Sequence, residues 1–122
     1  MKIWAEYTVS AAHSLPLTPE DHKCRKVHGH NFSVVLFFEG EMNENTGWVF
    51  DYAKIDEAWF QNIHPKIDHQ YLNEIPGLMN PTSEVLCRWI WNEVKQIKSI
   101  SAFLSEVQVK ETNRLGCSYH GE

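Results

Sequence analysis

Cys24-Arg25-Lys26-Val27-His28-Gly29-His30 places a thiol and two imidazoles within seven residues. His28 and His30 are two apart. On a strand, residues i and i+2 share a face, roughly 7 Å apart along the chain. Two imidazoles so placed can close on one metal ion. Gly29 between them has no side chain, which leaves the backbone there free to bend or to be approached closely. A third imidazole, His13, ends the alternating stretch Ile3, Ala5, Tyr7, Val9, Ala11. If the two stretches pair antiparallel, His13 falls opposite the His28–His30 pair on the same face. Three imidazoles with a fourth position open are the catalytic rather than the structural kind of zinc site.

Cys24 has three readings: a fourth zinc ligand, a catalytic thiolate, or an inert thiol. Lys23, Arg25 and Lys26 flank it, and cations stabilise a thiolate. Catalysis is the preferred reading, with ligation in the resting state as its rival. Further along, Asp68 and His69 are adjacent, and a carboxylate beside an imidazole can orient or charge it. Asp–His neighbours are common, so the pair alone is a weak signal. Glu111 continues the apolar side of a third alternating stretch, where a carboxylate needs donors. Either a local partner supplies them or a ligand does.

The elements that must hold these groups follow from periodicity. Ile3 to His13 is a half-buried strand, and Asn31 to Phe38, rich in β-branched and aromatic residues, continues His28 and His30 as a second. Ser14 to Val27 is too long for a hairpin turn, and loops of that length are usually functional or disordered. His22 reads as a solvated residue of this loop. Trp48-Val49-Phe50 reads as a short extended piece. Asp51 can cap a helix from Tyr52 to about Ile63, with Tyr52, Ile55, Trp59 and Ile63 on one face and Pro65 ending it. Ile67 to Asn73 reads as polar and irregular, with breaks at Gly77 and Pro81. Asn80-Pro81-Thr82-Ser83-Glu84 is a helix start, and Leu86, Trp89, Ile90, Val94 and Ile97 give that helix its apolar face. Cys87 reads as a buried, inert thiol. Phe103, Val107 and Val109 alternate as a third strand, and Cys117 to His120 reads as a short last one.

Composition limits the alternatives. At 122 residues the chain, 1–122, has room for one ordinary core. It is 43% hydrophobic and 22% charged, which is globular rather than disordered. A net charge of -5 gives no global attraction to nucleic acid or to an anionic membrane. Met1 to Glu6 has no apolar signal-peptide run, and no stretch approaches the ~20 apolar residues of a membrane span. Three widely spaced cysteines without a C-x-x-C motif point to free thiols in a reducing cytoplasm.

With His13, the Cys24-x-x-x-His28-Gly29-His30 stretch, Asp68-His69, Asn80-Pro81-Thr82-Ser83-Glu84 and Lys110-Glu111-Thr112, the chain resembles the 6-carboxytetrahydropterin synthase branch of the 6-pyruvoyltetrahydropterin synthase family. The resemblance spans essentially the whole chain. Its motifs are specific in combination, and the three-residue spacer after Cys24 is similar to that branch. It implies an α+β tunnelling (T) fold: ββααββ, a four-stranded antiparallel sheet with two helices on one face. It implies a homo-oligomer, a hexamer by preference, in which sheets join into a barrel. An open sheet with free edges makes such association physically reasonable. It also implies Zn2+ on His13, His28 and His30, catalysis by Cys24, Asp68 and His69, and pterin anchoring by Glu111 with the Thr82 and Ser83 backbone assisting. The implied reaction converts dihydroneopterin triphosphate to 6-carboxytetrahydropterin with loss of acetaldehyde and triphosphate, on the route to queuosine in tRNA. Lys23, Arg25 and Lys26 are candidates for triphosphate contacts, or simply a solvated face. Two rivals stand beside this reading: formation of 6-pyruvoyltetrahydropterin, and a closed Cys24-plus-three-His structural zinc module.

Overall fold

A computed structural model describes residues Met1–Glu122. Two long strands come first, β1 (Lys2–His13) and β2 (His28–Glu39), each of 12 residues. They pair antiparallel, from Lys2 opposite Glu39 to His13 opposite His28. β3 (Leu104–Lys110) lies on the other side of β2, and β4 (Gly116–Tyr119) follows it, so the sheet order is β1-β2-β3-β4. Alternation puts Ile3, Tyr7, Val9, Ala11 and His13 of β1 inward, with Phe32, Val34, Leu36 and Phe38 of β2 beside them. In β3, Leu104 and Val107 are three apart yet both buried. A register shift between Phe37 and Phe38 absorbs the extra residue.

Both helical segments cover this inward face. α1 (Tyr52–Ala58) starts at Asp51, whose carboxylate accepts the Ala53 N–H at 2.9 Å. It runs without a break through a π turn, Trp59–Ile63, into α2 (His64–Ile67). α3 (Ser83–Lys95) starts at Thr82, whose hydroxyl accepts the Val85 N–H at 3.1 Å. Ile55, Trp59, Ile63, Ile67, Leu86, Ile90 and Val94 join the strand residues in one core of 24 buried side chains. Each such aliphatic side chain contributes about 1.5–3 kcal/mol when removed from water. Counting Tyr52–Ile67 as one helical run, the order is ββααββ, with both helices on one sheet face. No helix is long and apolar enough to cross a membrane.

Several local expectations are corrected. Pro65 does not end the first helical run, which continues to Ile67. Proline lacks an N–H and crowds the carbonyl one turn back. Here the His64 N–H bonds to the Trp59 carbonyl, and this wider turn lets Pro65 sit inside the helix. Trp48-Val49-Phe50 is a series of bends rather than a strand, and Tyr52 is 63% exposed rather than on the buried face. Phe103 belongs to a 3-10 turn, Ser101–Phe103, before β3, and His120 lies beyond β4. Gly29 needs no special backbone: it pairs regularly with Ala12, and a Cβ there would meet only the Ala11 carbonyl at 3.5 Å.

Candidate active site

The β1–β2 register places His13 directly opposite His28, with His30 opposite Ala11 two residues along. All three side chains project from the inward face at the end of the paired strands. Their ligating nitrogens lie within 4.8 Å of one another. His13 Nδ1 bonds to the Pro81 carbonyl at 2.8 Å, and His28 Nδ1 to the Lys26 carbonyl at 2.8 Å. A carbonyl only accepts, so both rings carry their proton on Nδ1 and present an Nε2 lone pair to the cluster. Those two Nε2 atoms are 3.0 Å apart. Two lone pairs so close repel unless a cation lies between them. His30 Nε2 is buried without a hydrogen-bond partner, although the Glu111 carboxylate is 3.1 Å away. The carboxylate is near enough for charge attraction but outside hydrogen-bond alignment. Burial, with the neighbouring His28 and His30 adding, holds His13 below the ordinary imidazole range, against the opposing pull of the Pro81 carbonyl and Glu111. A neutral imidazole is what a metal requires. The donor set fits a divalent metal of the zinc type.

The remaining candidates fall into separate groups. Glu111 follows β3, its carboxylate 3.1 Å from His30 Nε2 without hydrogen-bond alignment. Cys24 sits on a 3-10 turn, Lys23–Arg25, half-buried, and is not one of the three clustered ligands. His22, expected to be a solvated loop residue, is exposed, but its Nδ1 caps that turn by accepting the Cys24 N–H at 3.1 Å. Thr82 and Ser83 open α3 directly after Pro81, the residue that orients His13. Cys87 is buried, its thiol donating to the Val107 carbonyl at 3.2 Å, and burial pushes it far above the ordinary thiol range.

Asp68 and His69 form the pair that their adjacency suggested. His69 Nδ1 bonds to Asp68 Oδ2 at 2.7 Å, and Asp68 Oδ1 accepts the Ser10 N–H at 3.0 Å. The pair lies along the outer edge of β1, where the His69 N–H also bonds to the Ser10 carbonyl and the Ala12 N–H to the Gln70 carbonyl. His69 holds a left-handed φ of 58°, a conformation that costs energy for a residue with a Cβ. Residues absent from the sequence reading also emerge. Asn73 accepts the Ser14 N–H at 3.0 Å and donates to the Ser14 carbonyl at 2.8 Å, fixing the residue after His13. His64 Nε2 lies 3.3 Å from Asp68 Oδ2. The four-residue spacing of His64 and Asp68 was the available signal for it.

A four-stranded antiparallel sheet, two helices on one face and three converging imidazoles at the strand ends define a tunnelling-fold protein with a candidate metal centre. The sequence profile of 6-pyruvoyl tetrahydropterin synthase matches residues 2–122. A 6-carboxy-5,6,7,8-tetrahydropterin synthase of Synechocystis is 32% identical over 98 residues, covering 77% of this chain and 74% of its own. A dihydroneopterin monophosphate aldolase of Pyrococcus furiosus is 28% identical over 106 residues, 87% of this chain and 85% of its own. The 6-pyruvoyl tetrahydropterin synthase structure from Caenorhabditis elegans superimposes with a TM-score of 0.92, at 24% identity, over 100% of this chain and 96% of that one. The chain belongs to the 6-pyruvoyl tetrahydropterin synthase family, a family of pterin-processing lyases.

Proposed function

We propose that this chain is a zinc-dependent carbon–carbon lyase that converts 7,8-dihydroneopterin triphosphate to 6-carboxy-5,6,7,8-tetrahydropterin, releasing acetaldehyde and triphosphate, on the route to queuosine. The carrying observation is the trio His13, His28 and His30, with two Nε2 lone pairs 3.0 Å apart and a third Nε2 buried without a partner. The Synechocystis relative, a 6-carboxy-5,6,7,8-tetrahydropterin synthase, supports the choice of product. In this reading the protein is cytoplasmic, a single domain over its 122 residues, and a homo-oligomer, with the pterin triphosphate as its small-molecule partner.

Zinc, when bound, supplies a Lewis acid for the oxygens of the substrate side chain. Pro81 and Lys26 hold the rings of His13 and His28 for that ion. Glu111 anchors the pterin, since a carboxylate can accept paired N–H bonds from an amidine-like ring edge, and the Thr82 and Ser83 backbone assists. Cys24, on its exposed turn, takes and returns one proton. His69, held through Nδ1 by Asp68, leaves Nε2 for the other transfer. Mass spectrometry of products from dihydroneopterin triphosphate tests the assignment. A 6-carboxy product with acetaldehyde supports it, whereas a 6-pyruvoyl product, or no turnover by zinc-loaded protein, overturns it.

A further inference from the structure

Resting on the acid–base role given above to Asp68 and His69, we propose that His64 is a positioning residue, fixing the Asp68 carboxylate and limiting how strongly it charges His69. The geometry is a carboxylate between two imidazoles. Asp68 Oδ2 lies 2.7 Å from His69 Nδ1 and 3.3 Å from His64 Nε2, and Oδ1 accepts the Ser10 N–H at 3.0 Å. The groups facing Asp68 are therefore His64 and His69 from its own segment and the Ser10 amide from β1.

His64 reaches this place because the helical run goes on past Pro65. The π turn Trp59–Ile63 ends where α2 begins, and residues four apart on a helix share a face. The ring is walled by Phe60, at 5.3 Å between centroids, and Trp59, at 6.4 Å. Its Nδ1 is buried and has no partner. A proton on Nδ1 would leave a buried donor unmet and turn a lone pair toward the carboxylate. The tautomer that fits has its proton on Nε2, facing Asp68 Oδ2 at 3.3 Å as a polar contact without hydrogen-bond alignment.

Two consequences follow. His69 is 79% exposed at its side chain, so Asp68 is what restrains the ring, and His64 with Ser10 is what restrains Asp68. The second consequence is electronic. An N–H dipole facing Oδ2 at 3.3 Å offsets part of the negative charge that His69 feels. Without it the carboxylate accepts more strongly from His69 and favours the protonated ring.

The test uses zinc-loaded full-length protein and dihydroneopterin triphosphate. His64→Phe keeps a flat ring without a donor, and His64→Asn puts its amide at the Nδ1 position, also without a donor to Asp68. His64→Gln carries an amide N–H near the Nε2 position. Both donor-less variants should lose about tenfold in kcat, a fraction of the ~10²–10⁴ of a general acid–base group. The limb of the kcat–pH profile set by Asp68–His69 should move to higher pH. His64→Gln should restore rate and profile. In the resting protein, the His69 Nδ1–H proton resonance should be sharp in the native and Gln forms and exchange-broadened in the Phe and Asn forms. Native kcat, pH profile and resonance in whichever donor-less variant folds and holds zinc, with His69→Ala inactive, overturn the role of His64 alone. Near-native turnover in His69→Ala overturns the underlying acid–base assignment instead.

Discussion

Two imidazoles of the trio, His13 and His28, have their direction set by what the other side of the ring touches. Pro81 and Lys26 take the Nδ1 protons of His13 and His28, so their Nε2 atoms can only accept or ligate. His28→Ala and His30→Ala are expected to lose most bound zinc, because two imidazoles rarely hold a catalytic ion. Cys24→Ala is expected to keep its zinc and lose ~10²–10⁴-fold in turnover. Elemental analysis and single-turnover rates on one preparation separate the two, and loss of zinc from Cys24→Ala would make the thiol an anchor instead. Asp68 gives a pH signature. Burial works against its charged form, but the His69 hydrogen bond, the Ser10 N–H and the charges of His64 and His69 outweigh it and hold Asp68 below the ordinary carboxylate value. The unfolded chain therefore takes up this proton first as pH falls. The stability Asp68 contributes is full above that ordinary value and is lost as pH drops through the lower folded one. Thermal melts against pH should show a steeper acid decline for native protein than for Asp68→Asn, and parallel declines would remove the contribution.

Strand alternation made the three zinc candidates legible, since a period of two puts His13, His28 and His30 on the face that also carries Val9, Phe32 and Val34. The supporting residues were not legible for an equally physical reason. Pro81 and Ser14 act through backbone groups and Asn73 through its side-chain amide, all in irregular segments, which have no period to read. Pro65 misled because a proline stops an ordinary helical turn but is accommodated after a π turn. The polar stretch after Ile67 likewise hid its role as a partner for the β1 edge, where Tyr71 bridges Ala12 in parallel. Asn73 is the element-level device that fixes the end of β1. It holds both backbone groups of Ser14 and comes within 3.4 Å of the Met79 carbonyl, two residues before Pro81. Asn73→Ala should therefore loosen His13 from both sides. Zinc affinity, measured by chelator competition, is expected to fall about 10–100-fold, with the helical content unchanged. An unaltered affinity would show that β1 and Pro81 orient His13 without the clamp.

At the scale of the molecule, the sheet is unfinished. Segment 68–71 covers the outer edge of β1 only around Ser10 and Ala12, and Lys2 to Thr8 have no backbone partner on that side. The face away from the helices carries Trp4, 60% exposed. Free edges invite pairing with another copy. The chemistry is divided in a way that suits such pairing. His13, His28 and His30 project from the inward face, whereas Asp68 and His69 sit along the outer edge of β1 with the His69 ring turned largely to solvent. An acid–base group on an edge can serve a site on a neighbouring chain. Cys24→Ala chains and His69→Ala chains are each expected to be inactive alone. Mixed under conditions that exchange subunits, they should regain activity, because some sites then combine an intact Cys24 from one chain with an intact His69 from the other. With random exchange and sites shared between two chains, about a quarter of the sites should be whole. Rescue depends on exchange, which mass spectrometry of differently labelled chains measures directly, and on each variant binding zinc normally. Exchanged mixtures that stay inactive would mean that each chain builds its site from its own His69, with the edge pair folding inward on substrate binding.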